Sequence, residues 1–286
     1  MPVEMKVIGK KVSSDGCVKF LLQLSDELKI ESVYLPSGER RTVCVSSQAG
    51  CALDCSFCAT GRMGLARNLS AEEITGQLEL VLREVSVEDR SIAATNVVYM
   101  GMGEPFYNYD AVLEAAHLFS NQRGLNIAPG RITLSTAGVL PAMEKYFMEN
   151  HAYKLALSLT SAMEEKRNIL MPINRRYPLS ELRKLLLRFP RKRVLLEIPL
   201  LAGINDGPED IEALLVFCDG LRVRVNLIPW NPSPGETFTR PSDESVLAFQ
   251  RSMRRTGLNV FIRKSLGSDI AGACGQLVTD LAQISY

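Results

Sequence analysis

The chain has 286 residues, 46% hydrophobic and 23% charged, with a formal net charge of +1. That length can bury a substantial core in one large α/β domain or two small ones, and the near-neutral balance offers no global field for nucleic acid or membrane. No run of about 18 apolar residues marks a membrane helix and the N-terminus lacks an apolar signal core, so a cytoplasmic protein with no membrane partner is expected.

Short β-rich runs at 18–24, 30–35 and 41–46, separated by acidic residues and by Pro36-Ser37-Gly38, predict a small antiparallel extension over residues 1–50. Residues 51–286 then read as one core domain. Ser70 and Glu73 form an S-x-x-E capping box that opens a helix running toward Val87. Strand candidates follow at 96–100, 132–136, 155–160, 194–201, 223–229 and 259–263. Helical stretches lie between them at 111–120, 141–149, 179–188, 208–218 and 243–256. Arg254 and Arg255 followed by Gly257 predict the stop of the last helix. Alternating strands and helices imply right-handed βαβ units in a mainly parallel sheet. The fold class predicted is α/β, a partial (β/α)6 TIM-like barrel with a small N-terminal β extension.

Seven cysteines, an odd number, argue against a disulfide framework and for metal or catalytic use. Cys51, Cys55 and Cys58 stand at spacing C-x3-C-x2-C on a loop flanked by Gly50 and Gly61. Three thiolates can hold three irons of a cubane and leave the fourth open, whereas an electron-transfer cluster normally takes a fourth cysteine. The alternatives are a zinc site, which wants four ligands, or three packed thiols. The spacing resembles that of the radical S-adenosylmethionine (SAM) superfamily, whose open iron chelates the amino and carboxylate groups of that cofactor.

Four segments fall at the C-terminal ends of predicted strands, where barrel enzymes build their sites. They are the turn at 100–105 with Gly101, Gly103 and Glu104; Ser135-Thr136-Ala137-Gly138; Ser158-Leu159-Thr160; and 226–232, which includes Asn231. Taken singly, the glycines are explained equally by a turn and the hydroxyls by helix caps. Cys274 lies among small residues and Cys44 seven residues before the cluster loop, and composition decides the role of neither. Cys17 and Cys218 read as small buried hydrophobes.

These segments, with 41–51, 171–174, 203–206 and 273–277, match one family over nearly the whole chain, from about Ser14 to Leu277. The chain resembles the dual-specificity RNA adenine-C2 methyltransferases of the radical SAM type and the related C8 methyltransferases. The resemblance implies a [4Fe-4S] cluster on Cys51, Cys55 and Cys58 and two molecules of S-adenosylmethionine per turnover. One methylates Cys274; the other is reductively cleaved, and the resulting radical takes hydrogen from that methyl group, which then adds to adenine. Cys44 attacks the Cys274 sulfur and releases the product with formation of a disulfide.

By the same matching Glu31 is the proton acceptor, and Gly103, Glu104, Ser135, Ser158, Leu159, Thr160 and Asn231 bind the cofactor. The implied partners are ribosomal RNA, with transfer RNA as a second substrate, and a reducing protein such as flavodoxin; a monomer is expected. Two features depart from the family. Its helical N-terminal accessory domain has no counterpart in the residues before Ser14, and Thr160 stands where the family has His. These departures suggest an alternative: an enzyme of the same fold on a smaller or different substrate. A non-catalytic iron–sulfur RNA-binding protein is the other alternative. The stretch 228–235 favours C2 over C8. Candidate phosphate contacts are Arg40, Arg41, Arg175, Arg176, Arg188, Arg191–Arg193, Arg263 and Lys264.

Overall fold

A computed structural model describes residues 4–86, 93–122, 124–232 and 237–279. The chain forms two compact units. The first comprises Met1–Ala52, Cys58–Leu134 and Leu266–Tyr286, and the second Leu53–Phe57 and Ser135–Ser265.

In the first unit β1 (Lys6–Val12), β2 (Val18–Gln23), β3 (Lys29–Ser37) and β4 (Arg40–Cys44) pair as an antiparallel meander. β2 is buried along most of its length, because Phe20 and Leu22 fill one face and Leu21 the other. Residues 1–50 do not stand apart from the parallel strands. β4 also pairs in parallel with β7 (Asn96–Tyr99), with Cys44 opposite Val98, and β7 pairs in parallel with β8 (Ile132–Thr136). The same strand therefore closes the meander and opens the parallel sheet. β5 (Gln48–Cys51) and β6 (Gly64–Asn68) make a separate two-stranded ribbon on either side of the cysteine loop.

The first helix, α1 (Ala71–Val85), begins at the predicted capping box. Glu73 N donates to Ser70 Oγ at 3.1 Å, and Ser70 N donates to Glu73 Oε2 at 2.9 Å. Such a cap is worth about 1 kcal/mol. Val87, to which that helix was expected to run, lies outside the described residues. α2 (Tyr109–Ser120) buries Val112, Ala115, Ala116 and Phe119.

The second unit holds α3 (Leu140–Glu149), β9 (Lys154–Ser158), α4 (Glu164–Leu170), α5 (Leu179–Arg188), β10 (Val194–Leu200), α6 (Pro208–Cys218), β11 (Val223–Pro229), α7 (Asp243–Arg254) and β12 (Val260–Ile262). β9, β10, β11 and β12 are neighbours in that order, all parallel. β10 is apolar on both faces apart from Glu197, as a strand covered on both sides requires. α7 stops as its sequence predicts: Gly257, with φ +87°, donates its N–H to Arg254 O at 3.0 Å. Among the described residues no helix is long and apolar enough to cross a membrane.

Candidate active site

The cysteine loop leaves β5 at Cys51. Gly50 at its start has φ +81°, and an added Cβ there would lie 2.0 Å from Gly64 O on β6. Only glycine lets the ribbon close at that point. Asp54 also takes a left-handed conformation, φ 50°, so the chain bends sharply between Cys51 and Cys55. Cys51 and Cys55 are buried and Cys58 is half-buried. Among the described residues no three Cys, His, Asp or Glu side chains converge as ligands of a single metal ion. A cubane makes no such demand, because each thiolate binds its own iron.

The middle of the loop belongs to the second unit and is held by it. Ser56 N donates to Leu170 O, the last carbonyl of α4, at 3.0 Å, and Trp230 Nε1 donates to Phe57 O at 3.3 Å. The end of the loop belongs to the first unit. Ala59 N, next to Cys58, donates to Gly275 O, next to Cys274, at 2.8 Å, and Thr60 Oγ1 donates to Leu277 O at 2.6 Å. Cys274 is half-buried in a turn whose ends are joined by Ala273 N donating to Gln276 Oε1 at 3.0 Å. The structure thus puts the Cys274 turn beside the last cysteine of the loop.

The strands of the first 50 residues fasten that turn. Ser13 Oγ and Ser14 N donate to the Asp269 carboxylate at 2.6 and 3.1 Å, and Gly267 N donates to Asp15 Oδ2 at 2.8 Å. Lys19 Nζ donates to Ala271 O at 3.2 Å and pairs with Glu31 Oε1 at 2.9 Å. Glu31 Oε2 accepts from Val278 N at 2.9 Å. Glu31 is only 1% exposed; burial pushes its carboxyl above the ordinary carboxylate range, and the Lys19 charge opposes that rise. It is an interior acid whose Oε2 meets Val278 at one end of the Cys274 segment and whose Oε1 is joined through Lys19 to Ala271 at the other. Cys44 ends β4 and is 6% exposed, and none of the seven cysteines is joined in a disulfide.

Gly101 and Gly103 lie where the 100–105 turn passes 45–48. A Cβ at Gly101 would sit 2.7 Å from Val45 O, and one at Gly103, with φ +100°, would sit 2.6 Å from Gln48 Cβ. Close passage of the chain against itself therefore accounts for both glycines. Glu104 is buried; its N–H donates to Gln48 Oε1 at 2.8 Å and its Oε1 accepts from Phe106 N at 3.0 Å.

The remaining expected cofactor residues are in the second unit. Ser135 Oγ donates to Glu197 Oε2 at 3.5 Å. Ser158 ends β9, and the N–H groups of Leu159 and Thr160 both donate to Glu197 O, at 3.0 and 3.2 Å. Thr160 is wholly buried at φ 64°, a conformation that costs a β-branched residue of order 1–3 kcal/mol. Its Oγ1 has no partner, and neither has the Nδ2 of buried Asn231. An orphaned hydroxyl and an orphaned amide in the positions expected to meet a cofactor fit one with polar ends, and three thiols fit iron–sulfur binding. Residues 233–235 of the stretch that favours C2 lie outside the described residues.

Among the buried charges of the described residues that were not singled out from the sequence are Lys19, Arg167 and Glu197. Lys19 and Glu197 each interrupt an apolar run, a signal that could have found them. Arg167 sits in a polar stretch and gives no such signal. Burial pushes the Glu197 carboxyl upward against the pull of Arg263, whose NH1 lies 3.4 Å away. Arg263, one of the candidate phosphate contacts, is the arginine of this pair. Cys17 and Cys218 are the buried hydrophobes expected, each thiol pushed up to about 12 by burial.

The model of the radical SAM superfamily matches residues 45–218. Two relatives named dual-specificity RNA methyltransferase RlmN are similar over 279 residues each. The one from Syntrophobacter fumaroxidans is 44% identical, covering 96% of this chain and 80% of its own. That from Magnetococcus marinus is 42% identical, covering 96% and 78%. The crystal structure of a radical SAM methyltransferase from Sphaerobacter thermophilus has a TM-score of 0.93 and 39% identity, covering 97% of this chain and 82% of that one. The chain belongs to the radical SAM superfamily and, within it, to the family of the dual-specificity RNA methyltransferases.

Proposed function

We propose that the chain methylates an adenine carbon, C2 in preference to C8, of ribosomal RNA and transfer RNA, through a methyl group carried on Cys274. The observation that carries this is the bond between Ala59 and Gly275, which sets the Cys274 turn against the cysteine loop. Cys51, Cys55 and Cys58 would hold a [4Fe-4S] cluster, and Gly103, Glu104, Ser135, Ser158, Leu159, Thr160 and Asn231 would hold S-adenosylmethionine. Bound there, the pair supplies one-electron cleavage of the sulfonium and hence abstraction of hydrogen from a methyl group.

The chain's own residues do the rest. Cys274 Sγ accepts a methyl group, and the bond from that carbon to adenine fixes the base covalently. Glu31 takes the proton lost from the adenine carbon as the adduct gives up one electron, which would return to the cluster; a carboxyl raised by burial is a stronger base than an exposed one, and Lys19 opposes that rise. Cys44 Sγ, as thiolate, attacks Cys274 Sγ; the new S–S bond forms as the bond from Cys274 Sγ to the carried carbon breaks, that carbon takes up a proton to become the methyl group of the released base, and external reductant restores both thiols. Two S-adenosylmethionine molecules are consumed per turnover. The electron donor is a reducing protein such as flavodoxin, and the enzyme works as a cytoplasmic monomer.

The test is to incubate cluster-loaded protein with methyl-labelled S-adenosylmethionine, digest it and map the label. Label on Cys274, and 2-methyladenosine in RNA treated with reduced enzyme, are expected. Label absent from Cys274 overturns the methyl-cysteine route, and 8-methyladenosine overturns the regiochemistry.

A further inference from the structure

α4 carries a charge toward the middle of the cysteine loop. Leu170, at its end, pins Ser56 through its carbonyl, and Arg167 lies one turn back on the same helix. Arg167 is wholly buried. Its guanidinium donates to Ala137 O at 2.7 Å, Leu159 O at 2.9 Å, Ser158 O at 3.4 Å and Asn174 Oδ1 at 2.6 Å. Every one of these acceptors is neutral. The carboxylate of the network, on exposed Glu164, is reached only through Asn174, whose Nδ2 donates to Glu164 Oε1 at 2.7 Å. Cys55 precedes Ser56, the residue held by Leu170 O one turn from Arg167, and a negative charge there favours the charged guanidinium.

Carbonyls satisfy the N–H groups but bring no opposite charge, and an ion taken out of water without one is strongly disfavoured. Tying together the ends of β8 and β9 needs only a neutral donor, so the tie does not explain the charge. A cubane held by three thiolates carries a net negative charge that grows by one on reduction. A buried cation beside one of those thiolates favours the reduced form.

We propose that Arg167 is a tuning residue of the cluster: its buried charge raises the reduction potential and so helps the cluster receive its electron. The inference rests on the assignment of Cys51, Cys55 and Cys58 as cluster ligands.

The experiment is a redox titration of the reconstituted holoenzyme, followed by electron paramagnetic resonance without S-adenosylmethionine. Arg167→Gln removes the charge, Arg167→Lys keeps it, and Asn174→Asp brings a carboxylate onto the unchanged guanidinium. Arg167→Gln and Asn174→Asp are expected to move the potential negative by about 59 mV or more, a tenfold change in the ratio of reduced to oxidised cluster. Arg167→Lys is expected to stay near wild type. If Arg167→Gln does not fold, Asn174→Asp decides. An unmoved potential in either neutralising variant at full iron content overturns the tuning role, as does an equal shift in Arg167→Lys. Failure of the wild-type chain to take up a four-iron cluster overturns the ligand assignment itself, and the inference with it.

Discussion

Lys19→Met deletes the charge facing Glu31 and keeps most of the side-chain volume. The Lys19 and Glu31 side chains are 7% and 1% exposed, so solvent cannot replace the lost partner. Removing one member of such a pair costs about 3–5 kcal/mol. At about 2 °C per kcal/mol for a chain of this size, the melting temperature falls by about 6–10 °C. The fall depends on pH. A carboxyl whose folded pKa is raised binds more protons folded than unfolded. Its stabilising contribution is therefore present below the ordinary carboxylate value and is lost as pH rises through the raised one. Burial already raises Glu31, while Lys19 and, more weakly, Lys11 hold it down. Without Lys19 the window of loss extends upward, so the gap between variant and wild type is widest near about pH 8 and narrows toward about pH 5. Lys19→Met with Glu31→Leu recovers most of the loss, because no unpaired charge remains. Thermal melts followed by circular dichroism at both pH values measure this. A variant within about 2 °C of wild type at pH 8, or a gap that ignores pH, refutes the reasoning.

Thr160→Gly relieves a left-handed β-branched residue, and the melting temperature should rise by about 2 °C, for a gain of about 1 kcal/mol. The same change deletes the orphaned hydroxyl, so KM for S-adenosylmethionine should rise severalfold; a lower melting temperature would contradict the strain. Gly103→Ala forces a Cβ to 2.6 Å from Gln48 Cβ at φ +100°, and the urea midpoint should drop by the equivalent of about 3 kcal/mol. An unchanged midpoint would show that Gln48 gives way freely. Iodoacetamide mapping of cluster-free protein at about pH 8 should label half-buried Cys58 and Cys274 and spare Cys17 and Cys218, whose thiols burial holds protonated. Labelling of Cys17 as fast as that of Cys274 would be inconsistent with its burial.

What could be read in advance tracked the strength of local signals. The helix capped by Ser70 and Glu73, and the parallel strands from β7 to β12, announce themselves through side-chain chemistry and apolar runs. β4 is ambiguous in principle, since one strand can pair antiparallel on one side and parallel on the other, as it does with β3 and β7. β6 carries no pattern because almost all of it is exposed, and α4 is only seven residues long. The cysteine spacing was plain, as were the 101 and 103 glycines. That these glycines answer to 45–48 of the same chain emerges only from three-dimensional proximity. Lys19 and Glu197 were detectable as charges in apolar strands, but Arg167 needed the folded structure. The same holds for the fastening of the Cys274 turn, which joins residues at opposite ends of the sequence.

That fastening also bears on how the molecule assembles. Ser13 and Asp269 are 256 positions apart, and closing an unfolded segment of that length costs about 5 kcal/mol from the logarithmic chain term alone. Contacts so distant along the sequence form after the nearer ones that shorten the path between them. Cysteines 51, 55 and 58 therefore reach their loop before the 266–278 segment docks beside Ala59. On the function proposed above, metal would be delivered to an open cradle, and the turn bearing Cys274 would arrive last.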